Sequence, residues 1–119
     1  MAKITHINTP KTFTLQEAQE LLPVVRRITT EAAGAAERLT VRHDALPEEH
    51  PERAELENKL NELLQHWGEK VGKLGCHAKG LWLVDFDNGH GYYCWQYPET
   101  VVTHFHEYDG GFSGRQQIN

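Results

Sequence analysis

The stretch 81-LWLVDFDNGHGYYCWQYPETVVTHFH-106 decides the predicted fold of this 119-residue chain. It is rich in aromatic and β-branched residues and contains turn signals at two places, which is typical of short β-strands. We predict strands over Leu81–Phe86, Gly91–Tyr97 and Val101–His106. Asn88-Gly89 is a strong hairpin signal, because both central positions of a type I′ turn need positive φ. The stretch therefore predicts a three-stranded antiparallel sheet.

The residues before Gly75 follow a helical pattern instead. Thr14-Leu15-Gln16-Glu17 fits a capping box, in which the first and last of these residues each bond the other's backbone amide. Apolar residues then recur at helical spacing, and the pattern resumes over Glu48–Leu74 after a loop. Gly75 is a natural helix stop. We therefore predict a long antiparallel helical hairpin followed by the small sheet, which is an α+β fold.

The whole chain is expected to form a single domain, 1–119, since one core usually organises about 100–150 residues. It divides into an N-terminal arm (1–12), a helical hairpin (14–74), a β-meander (80–106) and a Gly-rich tail (107–119). The apolar faces of the hairpin are wider than one partner helix and a three-stranded sheet would cover. This excess favours a homodimer formed through the hairpin.

Charge and composition exclude several classes of protein. The chain has 12 Lys+Arg against 17 Asp+Glu, for a net charge of -5, whereas sequence-independent binding to nucleic acid needs a basic surface. No window approaches the ~18 consecutive apolar residues of a membrane helix, and the first residues lack the apolar core of a secretory signal. Two cysteines without a CxxC spacing are too few for a disulfide framework. We expect a cytoplasmic protein that binds neither nucleic acid nor membrane.

The first turn determines which residues share a face of the predicted sheet. A two-residue Asn88-Gly89 loop pairs Asp85 with Tyr92 and Leu83 with Cys94. Residues directly opposite each other share a face, and so do residues two apart on one strand. Asp85 and Cys94 are therefore expected on the same side.

The second turn decides whether two histidines join them. His104 and His106 are two apart, so they share a face with each other. A three-residue loop over 98–100 puts Cys94 opposite His104 and Tyr92 opposite His106. A two- or four-residue loop changes the parity and sends both histidines to the other side.

Under the three-residue loop, four potential metal ligands converge. Imidazoles, a thiolate and a carboxylate are suitable ligands for a divalent ion such as zinc or iron. We predict a divalent metal site held by His106 with His104 and Cys94, in which Asp85 is a fourth or outer-shell partner. Because such a site could keep an open coordination position, metal-assisted hydrolysis of an unknown substrate is an alternative function.

Other interpretations stay open on the same residues. The two histidines could be surface or hydrogen-bonded residues and Cys94 a small buried hydrophobe, in which case the protein would be a non-catalytic interaction module. The same register also permits a Cys94 nucleophile with a His104 base. The sequence does not decide whether the protein is an enzyme.

The tail offers a second candidate site. Glu107–Arg115 combines acidic residues, three glycines and an arginine. Gly-rich backbone can form an anion-binding nest, and Arg115 with its neighbour Asp109 could hold a small anionic ligand. The simpler alternative is a terminus in which Phe112 fills a gap in the core and Arg115 pairs with Asp109. The absence of a full G-x-x-x-x-G-K-[ST] phosphate loop favours this alternative.

At these residues the chain resembles the prokaryotic, including bacterial, family catalogued as Domain of Unknown Function 2203. The resemblance covers about residues 12–118 and rests on motifs that run in the family's order: Phe13-Thr14-Leu15-Gln16-Glu17-Ala18, Leu21-Leu22-Pro23, Gly80, Leu83-Val84-Asp85-Phe86, Tyr93-Cys94-Trp95, His106, Asp109, Gly111, Phe112, Gly114, Arg115 and Gln116. That family has no established activity, so the resemblance implies a fold and important positions rather than a reaction.

The resemblance also ranks the candidate ligands. Asp85, Cys94, His106 and Arg115 match the family pattern. His104 stands where similar proteins usually have an aromatic residue, just as Gln96 stands where they usually have arginine. His106 is therefore the better of the two histidine candidates.

Overall fold

The structure, a computed structural model, describes residues 11–118. The greater part of the predicted N-terminal arm, residues 1–10, lies outside the described residues. Two helices precede an antiparallel sheet, so the α+β class is confirmed, but the sheet has five strands rather than three. The elements are α1 (Leu15–Asp44), α2 (Glu52–Lys73), β1 (His77–Gly80), β2 (Leu83–Asp87), β3 (Gly91–Gln96), β4 (His104–Glu107) and β5 (Gln116–Gln117).

The signals at the helix ends act as the sequence indicates. Thr14 Oγ1 accepts a hydrogen bond from the amide of Glu17 at 3.1 Å, and the amide of Thr14 donates to Glu17 Oε1 at 2.9 Å. Both halves of the capping box are therefore present at the start of α1. Gly75 follows α2 with a φ of 89°, a conformation that favours glycine. The helices pack against each other as the predicted hairpin.

The two additional strands lie at the edges of the sheet, whose order is β1-β2-β3-β4-β5. β1 has the sequence HAKG, which lacks the apolar alternation of a strand, and its first three residues are exposed. β5 is only two residues long. Both strands are stabilised by pairing with a neighbour rather than by an apolar pattern of their own, so sequence periodicity missed them.

The register of the first hairpin differs by two residues from the expected one. Asp85 lies opposite Cys94 rather than opposite Tyr92. The central residues of the turn are Gly89-His90 rather than Asn88-Gly89, since the Asn88 amide donates to the Gly91 carbonyl oxygen at 2.9 Å. Asn88 Oδ1 also accepts a hydrogen bond from the His90 amide at 2.8 Å. A shift of two preserves the alternation of side chains. Asp85 and Cys94 therefore share a face, as predicted.

The register of the second hairpin is the one that the three-residue loop predicts. Cys94 lies opposite His104, and Tyr92 lies opposite His106. The connection itself is longer than expected, since β3 ends at Gln96 and β4 begins only at His104.

One face of the sheet carries the core. Val84, Phe86 and Trp95 are completely buried, and they belong to the same apolar cluster as Val25 of α1 and Val71 of α2. Because side chains alternate along β2, Asp85 points away from this cluster to the opposite face. In the part of the chain that the structure describes, no helix is long and apolar enough to cross a membrane.

Candidate metal centre

Three potential metal ligands meet on the face of the sheet that points away from the helices. Asp85 of β2, Cys94 of β3 and His106 of β4 lie on adjacent strands. One carboxylate oxygen, the thiol sulfur and one ring nitrogen all lie within 4.8 Å of one another. The three residues are only 2%, 1% and 3% exposed, respectively. The cluster is therefore a buried group of polar atoms rather than a set of surface side chains.

The orientation of the His106 ring is fixed by its two hydrogen-bonding atoms. Nδ1 lies 2.7 Å from the backbone carbonyl oxygen of Glu107, and Nε2 lies 3.0 Å from Asp85 Oδ2. A carbonyl oxygen can only accept, so we assign a proton to Nδ1. In the neutral ring Nε2 then presents a lone pair to the carboxylate. Two acceptors at this distance need a proton or a cation between them.

The second oxygen of the Asp85 carboxylate is also informative. Among the described residues, Oδ1 has no hydrogen-bond partner although it is buried. A buried polar atom without a partner costs about 1–3 kcal/mol, and more when it is charged. Such an atom calls for an explanation, and an ion at the site would supply one.

The thiol of Cys94 shares this environment. Burial and, to a lesser extent, the negative charge of the neighbouring Asp85 carboxylate together raise the pKa of Cys94 to about 12. Without a cation the side chain is therefore a neutral thiol at pH 7. A divalent ion beside it would favour the thiolate, because a coordinating thiol is deprotonated outright.

A pocket of about 280 Å³ lies above the cluster. Asp85, Cys94 and His106 are its buried lining residues. The remaining lining residues are Lys79, Leu83, Tyr108, Gly111 and Phe112. Because Tyr108 and Phe112 are about half-exposed, the pocket opens to solvent on the side of the tail.

His104 lies opposite Cys94 but is not among the converging atoms. Its Nδ1 lies 3.0 Å from Arg115 Nη2 and 2.9 Å from Thr103 Oγ1. Both contacts occupy the same ring nitrogen on the side of the tail. The structure therefore brings three of the four predicted ligands together and places His104 in a separate hydrogen-bond network.

The predicted anion site in the tail has a different arrangement from the expected one. Arg115 Nη2 donates to Oε1 and Oε2 of Glu99 at 2.9 and 2.8 Å, and its guanidinium lies 4.9 Å from the centre of the Phe112 ring. Asp109 is exposed. The carboxylate that pairs with Arg115 is thus Glu99 from the loop between β3 and β4, not Asp109.

Lys79 and Tyr108 line the pocket but were not candidates in the sequence. The Nζ atom of Lys79 lies 4.5 Å from the centre of the Tyr92 ring, and the Tyr108 hydroxyl donates to Asp87 Oδ1 at 2.8 Å. The face of the sheet on which Lys79 lies could have been predicted from its position in a strand, since side chains alternate between the two faces. That prediction requires β1 to be recognised first, and its sequence has no strand pattern.

Comparison with known proteins adds a family and no activity. A family model described as "Uncharacterized conserved protein (DUF2203)" matches residues 11–118. No curated protein matches the chain, and neither does any solved structure.

Proposed function

We propose that this chain, which belongs to the Domain of Unknown Function 2203 family, binds one divalent metal ion through Asp85, Cys94 and His106. The observation that carries the proposal is the buried Asp85 carboxylate, which has one oxygen without a partner among the described residues and the other 3.0 Å from an imidazole nitrogen. A cation at this position gives Oδ1 a partner and can take the place of the proton between Oδ2 and His106 Nε2.

The donor set suits zinc or iron. Zinc accepts thiolate, imidazole and carboxylate ligands, and ligand atoms on a tetrahedral ion stand roughly 3.3–3.6 Å apart. The separations in the cluster, 4.8 Å at most, need only small side-chain movements to reach that geometry. The bond from His106 Nδ1 to the Glu107 carbonyl is the outer contact that typically orients a metal-binding histidine.

Charge also favours a divalent ion. One carboxylate and one thiolate together balance the two positive charges, so the assembled site is neutral. A neutral assembly lowers the cost of burying charges, which is high for an unpaired ion. With both cysteines free, a reducing compartment such as the cytoplasm is the proposed location.

Elemental analysis and cobalt substitution test the proposal. We expect stoichiometric zinc or iron in the purified protein and, after exchange to Co²⁺, a thiolate-to-cobalt charge-transfer band. Cys94→Ser should remove that band. Cys76→Ser is the control: Cys76 is also buried, but it lies in the apolar cluster, so this variant should keep the band. Absence of the band from wild-type protein mixed with Co²⁺, or its survival in Cys94→Ser, contradicts the proposal.

Thermal unfolding provides an independent measurement. A ligand specific to the folded state stabilises it, by about 2.7 kcal/mol at 100 times its dissociation constant. We expect added zinc to raise the melting temperature of metal-free wild type and of His90→Ala, in which an exposed histidine is removed. Zinc should leave the melting temperature of His106→Ala unchanged. An equal rise in all three proteins would show binding elsewhere.

The hairpin supports a second candidate function, self-association. A groove of about 630 Å³ runs between α1 and α2, with the half-buried Leu39 and Leu63 in its wall. Its rim carries both signs of charge, from Glu31, Arg38, Glu62 and Lys70 among others. In a dimer related by a two-fold axis, the acidic rim residues of one copy can face the basic rim residues of the other. An isologous dimer needs this kind of self-complementary surface.

Light scattering after gel filtration tests this candidate. We expect a dimer whose dissociation is promoted by Leu39→Glu, since a charge in the groove is then buried without a partner. Leu81→Glu, at an exposed leucine outside the groove, is the control. A wild-type monomer at micromolar concentration removes the candidate.

A further inference from the structure

The three proposed ligands leave one side of the metal site open. They reach it from the strands beneath, and the pocket lies on the opposite side. A zinc ion with three protein ligands takes its fourth from water or a small molecule. The fourth position therefore faces the pocket of about 280 Å³.

Lys79 gives this pocket a positive charge. Its ammonium lies 4.5 Å from the centre of the Tyr92 ring, and that ring is 5.5 Å from the ring of His106. Within residues 11–118 no carboxylate oxygen lies within 4.0 Å of the ammonium. The exposed ammonium therefore lies beside the pocket without an ion-pair partner among the described residues.

The geometry points to a small monocarboxylate as the ligand of this pocket, with one carboxylate oxygen on the metal and the other facing Lys79; the inference rests on the proposed metal site. The charges favour a single negative charge, because Asp85 and Cys94 already neutralise a divalent ion and Lys79 adds one positive charge. A phosphate dianion would leave one negative charge unbalanced beside the buried Asp85 and Cys94.

The walls limit the rest of the ligand. Leu83 and Phe112 are apolar and line the pocket, so a short hydrocarbon substituent can be buried against them. A water molecule takes about 30 Å³ in the liquid, so the pocket holds roughly nine groups of that size. A carboxylate with a chain of a few carbons fits within this volume.

Cobalt-loaded protein tests the inference, with acetate and propionate as the probes. A ligand that enters the coordination sphere changes the visible bands of Co²⁺, so each titration should be saturable. We expect at least about tenfold weaker carboxylate binding in Lys79→Met, since a charge-assisted contact is lost. Lys73→Met, which removes an exposed lysine at the end of α2, is the control and should match wild type.

Two further ligands separate the chemical classes. Acetamide has the shape of acetate without its charge, and we expect it to leave the bands unchanged. Phosphate should bind more weakly than acetate. Stronger binding by phosphate, or equal binding by acetamide, overturns the assignment of a monocarboxylate.

The outcomes also distinguish this inference from the metal proposal. If cobalt binds but neither carboxylate changes its bands, or if Lys79→Met binds carboxylates as wild type does, the inference is wrong and the metal site stands. If cobalt does not bind through Cys94, both fall.

Discussion

Asp85 and His106 are 21 positions apart in the chain, yet Asp85 Oδ2 and His106 Nε2 lie 3.0 Å apart in the interior of the sheet. The two residues are on β2 and β4, with Cys94 of β3 between these strands. The central strand therefore joins the two outer ligands and contributes the third. Every ligand of the proposed site depends on the pairing of these three strands.

Removing the carboxylate should destabilise the metal-free protein strongly. Removing one member of a buried hydrogen-bonded pair costs about 1–3 kcal/mol, and more where the remaining group is charged, because that group loses its partner. We expect a loss of this size for Asp85→Ala in urea unfolding with a chelator present. Asp87→Ala, two residues along the same strand but half-exposed, should lose only about 1 kcal/mol. Similar losses for the two variants would contradict the buried pair.

The helical hairpin contains one buried polar contact that can be tested by itself. Trp67 Nε1 donates to Thr29 Oγ1 at 2.9 Å, and both residues are buried. Thr29→Val leaves the indole N–H without a partner, so we expect a loss of about 1–3 kcal/mol in urea unfolding. Among residues 11–118, the exposed Thr30 bonds only to the Arg26 carbonyl of its own helix, and Thr30→Val should change stability by less than about 0.5 kcal/mol.

Gly91 permits the close approach of β3 and β4. A Cβ atom there would lie 2.5 Å from the His106 carbonyl oxygen and 2.7 Å from the Phe105 ring. We expect Gly91→Ala to cost about 1–3 kcal/mol through overpacking and to weaken cobalt binding, because the strand that carries His106 must move. Gly72→Ala in α2 meets no atom within 4 Å and should stabilise by about 0.5–1 kcal/mol. Unfolding and cobalt titration of both variants check these values.

The last turn of α1 should show a pH-dependent contribution from His43. Its Nδ1 lies 2.9 Å from Asp44 and its Nε2 lies 2.8 Å from Glu57. Asp44, and then Glu57, raise the pKa of His43 above its ordinary value of 6.5. Because the folded pKa is the higher one, the stabilisation is complete below the unfolded pKa and is lost as pH rises through the folded pKa.

Urea midpoints at several pH values measure this effect. The difference between wild type and His43→Gln should be larger at about pH 5.5 than at about pH 9. His50→Gln, at an exposed histidine of the loop between α1 and α2, controls for the general effect of losing an imidazole. A difference that is constant with pH, or one that grows as pH rises, would rule out the protonated His43 contact.

The sequence predicted which residues share a face of the sheet better than it predicted the turns. The shared face of Asp85 and Cys94 follows from a period of two, and a turn displaced by two residues does not alter it. In the observed turn the Asn88 side-chain oxygen accepts hydrogen bonds from the amides of His90 and Gly91. Asparagine favours such turns, but its residue type alone does not say whether it is the first residue of the turn or a central one.

Contacts between the tail and the loop after β3 could not be predicted in the same way. Arg115 pairs with Glu99 rather than Asp109, and it also contacts His104. These contacts join segments without periodicity, so no register arithmetic applies to them. The position of His104 outside the converging ligands follows from that unpredicted network.

The alternation along β2 has a consequence for how this protein can diverge. Val84 and Phe86 are core residues, and Asp85 between them serves the pocket. The loss or gain of one residue in the strand would exchange the two faces. The carboxylate would then lie in the apolar core, and the apolar side chains would lie on the pocket floor. We expect homologous chains to vary in the identity of the flanking residues while keeping the length of this strand constant.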